Sequence, residues 1–184
     1  MEGKYVSRAG VKLEGAMREF GVNAAGKVCL DAGAATGGFT DCLLQHGAKK
    51  VYAVETGYGV LAWKLRNDPK VVVRERTNIL YEEDIAKEIE MAVVDVSWTR
   101  LKLAIPAVSR FMMAGGVILA LIKPQYEVDK KELHGGVLVS DKAWETAQKT
   151  KEELVNSGFK VSDTTESVIK GEGGNREYWV RIDL

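Results

Sequence analysis

Between the first strongly apolar run and the helical segment after it lies Asp31-Ala32-Gly33-Ala34-Ala35-Thr36-Gly37-Gly38-Phe39-Thr40-Asp41. A glycine-rich turn at this place presents helix-terminal N–H groups to an anionic ligand. The dinucleotide fingerprint GxGxxG asks for glycines at 33, 35 and 38, but position 35 is alanine. The middle glycine is the one that lets backbone approach a pyrophosphate, so the turn suits a ligand with a carboxylate and no pyrophosphate, of which S-adenosylmethionine is the common one. Glu55 ends the next strand-like run 24 residues after Asp31, about where an acid accepting hydrogen bonds from ribose hydroxyls is expected.

Four further ionisable residues stand where chemistry is done. Asp95 follows the apolar run Ala92 to Val94, and Lys123 ends VILALIK directly before Pro124. Both fall at strand C-termini, where open α/β sheets bind ligands. Lys12 lies beside the apolar face of SRAGVKLEGAMREF, and Glu177 opens the last strand after a Gly-rich turn. Each also suits a plain role: Lys12 and Glu177 as solvated charges, Lys123 as a snorkelling strand-end lysine, Asp95 as a cap. No His, Cys and acid cluster has metal spacing. His46 reads as a helix-end residue and His134 as part of a loop, and Cys29 and Cys42 stand outside any CxxC.

The elements that must position these groups alternate. Residues 27 to 34, 50 to 56, 71 to 75, 91 to 97 and 117 to 123 are short runs rich in Val, Ile and Leu, as in strands covered on both faces. Helical spacing separates them at Phe39 to Gln45, Val60 to Arg66 and Leu101 to Met112, the last stopped by Gly115 and Gly116. Strand then helix, repeated, predicts a mostly parallel doubly wound α/β sheet. Ala143 to Asn156 follows as a helix, then Phe159 to Thr164 and Glu177 to Ile182 form a hairpin, which makes the last strand antiparallel. Leu13, Ala16, Met17 and Phe20 give an amphipathic helix within residues 1 to 25, docked ahead of the first strand. Pro124 to Ser140 lacks a period and reads as a mobile loop.

At 184 residues with 46% hydrophobic content, the chain is expected to be one domain, 1 to 184, with a full core. Lys plus Arg is 26 and Asp plus Glu is 26, so any nucleic-acid contact must come from a local patch or another domain. The longest apolar run, Phe111 to Ile122, is 12 residues, short of the roughly 20 of a spanning helix. With no apolar leader at MEGKYVSRAG, a cytoplasmic location is expected.

Taken together, YVSRAGVKL, LDAGAATGGFTDCLLQHGAKKVYAVETGYGVLAWKLR, ERTNI, VVDVSW, LIKPQYE and GNREYW resemble the TlyA-type branch of the FtsJ-like ribosomal RNA 2'-O-methyltransferases, also known as haemolysin A. The resemblance covers nearly the whole chain. It implies a Rossmann-like methyltransferase fold and a Lys-Asp-Lys-Glu tetrad, here Lys12, Asp95, Lys123 and Glu177. It also implies S-adenosylmethionine bound by Asp31, Gly33, Ala34, Thr36, Gly37, Gly38 and Phe39 of the turn, by Glu55 at the ribose, and by Asn78 and Ile79 around the adenine. Glu55 stands where the family often has Asp. The family's S4-like RNA-binding domain has no counterpart in this sequence, so ribosomal RNA or subunits are the expected partners, with weak binding by this chain alone.

A ribose 2'-hydroxyl is a poor nucleophile, and attack on a sulfonium methyl expels a neutral thioether that needs no proton. The enzyme must place the hydroxyl in line and help remove one proton. Two lysines among two acids offer that tuning, with Lys123 expected as the base and Asp95 with a second possible duty at the methionine amino group. Three other readings compete: an NAD-linked oxidoreductase, a membrane-active haemolysin, and an S-adenosylmethionine-binding module without catalysis. No metal is required by the leading one.

Overall fold

The computed structural model describes residues 3–133 and 135–184. The apolar runs form five strands, β1 (Val28–Ala32), β2 (Lys50–Val54), β3 (Val71–Arg74), β4 (Ile89–Val94) and β5 (Met112–Ile122). They pair in the order β3-β2-β1-β4-β5, all parallel. The order turns back between β1 and β4, and a crevice opens at the C-terminal ends of the strands on either side of such a point.

Helices cover both faces. Residues of β5 alternate strictly: Ile118, Ala120 and Ile122 pack with Leu101, Ala104, Ile105 and Val108 of α4 (Leu101–Ser109) and with Ala143, Ala147 and Leu154 of α6 (Ser140–Asn156). Val117, Leu119 and Leu121 face the other way, onto Leu13, Ala16 and Met17 of α1 (Ala9–Glu19) and Phe39, Cys42 and Leu43 of α2 (Gly38–Gln45). A strand buried on both faces has no solvent side to carry polar residues, which is why these runs read as continuous apolar sequence. Each fully buried Leu or Ile contributes about 1.5–3 kcal/mol. Two four-residue helices, α3 (Trp63–Arg66) and α5 (Pro124–Glu127), stand near the strand C-termini.

After α6 come β6 (Lys160–Val161), β7 (Thr165–Glu166) and β8 (Tyr178–Asp183). β8 inserts beside β5, antiparallel, with Ile122 opposite Tyr178 and Val117 opposite Asp183. β6 and β7 both pair with its outer side. The run predicted at Phe159 to Thr164 therefore holds only β6, and a second short piece, β7, follows it. The break falls at Ser162, whose hydroxyl accepts from the Arg181 N–H at 2.9 Å while its own N–H reaches the Arg181 carbonyl at 2.8 Å.

Other boundaries differ from the sequence expectation: α3 begins at Trp63 and not Val60, and α6 at Ser140 and not Ala143. α4 stops at Ser109, and Met112 begins β5. Gly115 and Gly116, expected to stop a helix, instead lie inside that strand, where the pairing with β4 shifts between Ile89 and Met91. Gly115 takes a φ of 79° there, a conformation glycine adopts at little cost. Pro124 to Ser140 also carries more structure than its unpatterned sequence implied. It holds α5 and a 3-10 turn at Lys130–Glu132, and Leu138 is buried in the core. The Glu127 carboxylate accepts from the first N–H of α4, at Leu101, 3.0 Å away, and Asn175 bonds both the Leu138 N–H and the Gly136 carbonyl.

Candidate active site

The parallel strands bring their C-terminal residues to one edge of the sheet. Asp95 leaves β4 and Lys123 leaves β5 side by side, and the Lys123 ammonium lies 2.7 Å from Asp95 Oδ1 and 2.9 Å from the Ser97 hydroxyl. The Tyr126 ring, centred 5.2 Å from the same nitrogen, covers it from α5. β8 runs the opposite way, so its first residues arrive at that edge too. Glu177 precedes Tyr178, the partner of Ile122, and so comes to rest near the end of β5. Lys12 reaches it from α1, with Nζ 2.5 Å from Glu177 Oε2. This second pair is the more enclosed, with side chains 8% and 3% exposed against 11% and 19% for Lys123 and Asp95.

Burial pushes the Glu177 carboxyl above its ordinary range, a shift opposed by the hydrogen bond from Lys12. Space for that carboxylate depends on Gly171, where a Cβ would come within 2.0 Å of Glu177 Oε1. Neither Ser97, two residues past Asp95, nor Gly171 was singled out by the sequence. Ser97 had a signal, since it lies within the VVDVSW motif, but a serine beside a strand end has many bland uses.

Two cavities meet here. One, of about 340 Å3, is lined by Gly33, Ala35, Glu55, Asn78, Ile79 and Asp95 among others. The second, of about 370 Å3, is lined by Lys12, Asp95, Lys123, Glu177, Arg8 and Gln125 among others. Ala35, Asp95 and Ser97 belong to both walls, so a group held in the first cavity can reach one held in the second across Asp95.

The residues proposed from the glycine-rich turn divide. Gly33 lines the first cavity and Thr36 the second, but Asp31, Ala34, Gly37, Gly38 and Phe39 line neither. Phe39 is a core residue, its ring 5.5 Å from that of Trp179. The glycines serve close packing. A Cβ on Gly33 would come within 2.3 Å of the Asp95 carbonyl oxygen, one on Gly37 within 2.3 Å of Leu65, and one on Gly38 within 2.2 Å of Ser7. Ala35 sits at a φ of 46°, and its N–H donates to Glu55 Oε2 at 2.9 Å. The other oxygen of Glu55 accepts from the Gly57 N–H at 2.7 Å. That oxygen also accepts from the Thr56 hydroxyl at 3.1 Å, so the acid is fixed by the turn and Oε2 is the one that keeps a lone pair for a ligand hydroxyl. Glu75, which the sequence did not single out, accepts from the N–H groups of Gly59, Val60 and Leu61 and pairs with Arg66 at 2.6 Å. Those bonds, the Arg66 one foremost, hold its carboxyl down at about 2 and order the loop after β2.

Asp31 lies beneath the turn, fully buried. Oδ2 accepts from the Thr40 hydroxyl at 2.7 Å, and Oδ1 has no partner among the described residues. Burial pushes its carboxyl from the usual 3.8 up to about 7, against the Thr40 bond. Below about pH 4 the folded and unfolded chains both hold the proton. Between about 4 and 7 only the unfolded chain releases it, which favours unfolding, and above about 7 the cost is constant. Wild-type stability in urea should therefore fall across pH 4 to 7 relative to Asp31→Asn, whose amide has nothing to ionise. Parallel stability curves for the two proteins would show that Asp31 is ionised in the fold throughout.

His46 stays close to its own helix, with Nδ1 2.8 Å from the Cys42 carbonyl oxygen, and His134 lies outside the described residues. Among the described residues no group of three His, Cys, Asp or Glu could hold a metal ion, and no helix is long and apolar enough to cross a membrane.

Comparison with known proteins agrees with this architecture. The family described as FtsJ-like methyltransferase matches residues 5–184. The 16S/23S rRNA (cytidine-2'-O)-methyltransferase TlyA of Mycobacterium tuberculosis is 41% identical over 189 residues, covering 98% of this chain and 69% of its own. YqxC of Bacillus subtilis is 47% identical over 141 residues, and the match spans 75% of this chain and half the length of YqxC. A crystal structure of a Lactococcus lactis protein bearing the hemolysin name is 40% identical and superposes with a TM-score of 0.91, over 98% of this chain and 88% of that one.

Proposed function

We propose, from the premise that the chain belongs to the FtsJ-like methyltransferase family, that it moves a methyl group from S-adenosylmethionine to a ribose 2'-hydroxyl of ribosomal RNA. The observation that carries this reading is the meeting of two cavities at Asp95, with two lysine–carboxylate pairs lining the second. The first cavity suits the methyl donor. Glu55 Oε2 offers an acceptor to a ribose hydroxyl, Ile79 an apolar wall for the adenine with Asn78 beside it, and Asp95 an acceptor for the amino group. S-adenosylmethionine supplies, when bound, an electrophilic methyl whose departure leaves a neutral thioether.

The protein's own work is on the acceptor. A hydroxyl set against Lys123 gives up its proton to Nζ in the neutral amine form as its oxygen forms the new bond to carbon. The ammonium so made is stabilised by Asp95, whose Oδ1 lies 2.7 Å from Nζ. Asp95 stays ionised throughout, and fixing Nζ between Asp95 and Ser97 aims its remaining valence. The Lys12–Glu177 pair, buried opposite, orients the ribose. Burial of the Lys12–Glu177 pair and partial burial of Lys123 and Asp95 limit the water that can compete for these hydrogen bonds.

The test is transfer of labelled methyl from S-adenosylmethionine to ribosomal subunits, followed by alkaline digestion. A 2'-O-methyl blocks attack on the neighbouring phosphodiester, so the label should emerge in an alkali-resistant dinucleotide. Label recovered in a single nucleotide would place the methyl on a base and overturn the reading. Glu55→Ala should weaken S-adenosylmethionine binding in calorimetry by about tenfold, the size of a lost hydrogen bond to a charged group. Unchanged affinity would move the donor elsewhere.

A further inference from the structure

The second cavity has a charge that the methyl-transfer reading leaves unused. Three cations line it: Lys12, Lys123 and Arg8. Lys12 is engaged by Glu177 and Lys123 by Asp95, so the four groups of the two pairs sum to zero. Arg8 precedes α1, is exposed, and its guanidinium has neither a carboxylate nor a hydrogen-bond partner among the described residues. The first turn of α1 contains no acidic residue and no side-chain cap, so no side-chain charge offsets its positive end beside Ser7 and Ala9, which line the cavity, while the Gly10 and Val11 N–H groups donate to the Ser7 and Arg8 carbonyls.

Ribose chemistry says what the free charge is for. In an RNA strand the carbon bearing the 2'-hydroxyl adjoins the carbon whose oxygen carries the 3'-phosphate. Setting that hydroxyl at Lys123 brings a phosphodiester into the same cavity, and an anion enclosed without a cation is strongly disfavoured. We propose that Arg8, at the positive end of α1, holds the phosphodiester next to the target ribose. Arginine presents a planar fork that matches two phosphate oxygens. The cavity is then a nucleotide subsite that takes ribose as part of an RNA strand and leaves a free nucleoside a poor acceptor. This inference rests on the reading of a ribose hydroxyl as the methyl acceptor.

Methyl transfer to ribosomal subunits, measured across a range of salt concentrations with Arg8→Gln, Arg8→Lys and Arg18→Gln, tests it. Arg8→Gln should raise KM for the subunits about tenfold, with the loss falling mainly on KM. It should also flatten the dependence of log KM on log salt by about 0.7–0.9, the signature of one phosphate contact removed. Arg8→Lys should restore the slope and part of the KM. Arg18→Gln, which removes the same charge from the far end of α1, should behave as wild type. A wild-type slope in Arg8→Gln, or an equal change in Arg18→Gln, overturns the phosphate contact. Direct binding of a labelled ribosomal RNA fragment without S-adenosylmethionine carries the same comparison. A chain that binds with an Arg8-dependent slope but transfers no methyl would therefore sink the ribose reading alone.

Discussion

Lys123→Ala should lower methyl transfer by about 100- to 10,000-fold, the usual loss when a positioned base is removed, while S-adenosylmethionine affinity stays within a few fold. The separation follows from the geometry: Lys123 lines the cavity that holds the two ion pairs, and it is absent from the wall of the cavity that holds Glu55 and Asn78. Lys123→Arg is the sharper experiment. A guanidinium can keep an ion pair with Asp95, but it retains its proton at any working pH and cannot accept another. It should be nearly as damaging as alanine in single-turnover assays. Near-normal turnover by Lys123→Arg would make the residue an electrostatic clamp and send the proton out by Asp95, Lys12 or water.

Lys12→Met should destabilise the fold by about 3–5 kcal/mol, because it leaves Glu177 enclosed without its counter-ion. The cost should grow with pH. Burial already raises the Glu177 carboxyl in the folded chain. At low pH both states are protonated and the fold keeps its full stability, which is lost as pH rises from the ordinary glutamate range near 4.5 through the raised folded value. Urea midpoints for Lys12→Met should accordingly fall more steeply than those of wild type as pH rises above about 4.5. Adding Glu177→Leu removes the stranded charge and should recover most of the stability, since an apolar pair of similar size is often as stable as a buried ion pair. Methyl transfer should remain lost in the double variant. Recovery of activity along with stability would reduce the pair to a structural bridge and remove it from the ribose site.

Much of the site was legible in the residues because parallel sheets obey a simple rule. A run such as AVVD or VILALIK, apolar on both faces, has to be a central strand, and the charge that ends it has to lie at the C-terminal edge. Asp95, Lys123 and Glu55 were all recognisable that way. The glycines were legible as a turn but not in their packing: Gly33, Gly37 and Gly38 make room for Asp95, Leu65 and Ser7, contacts that sequence order does not contain. Phe39 looked like part of a ligand loop and is core, since it lies on the first turn of α2 on the side that meets the sheet.

The sequence by itself determined the strand-and-helix alternation, the antiparallel final strand and the strand-end acids and lysine, all of which follow from local periodicity. The tertiary structure decided that these groups form two ion pairs facing one cavity. Lys12 and Glu177 are 165 residues apart, and nothing local relates them. They meet because β8 inserts beside β5 with Tyr178 opposite Ile122, and because the buried stripe of α1 sets that helix against the same face of the sheet. A one-residue slip in that pairing would turn each β8 side chain to the other face of the sheet. The register is therefore held by the burial of Tyr178, Trp179, Val180 and Ile182, and the site inherits its geometry from the core.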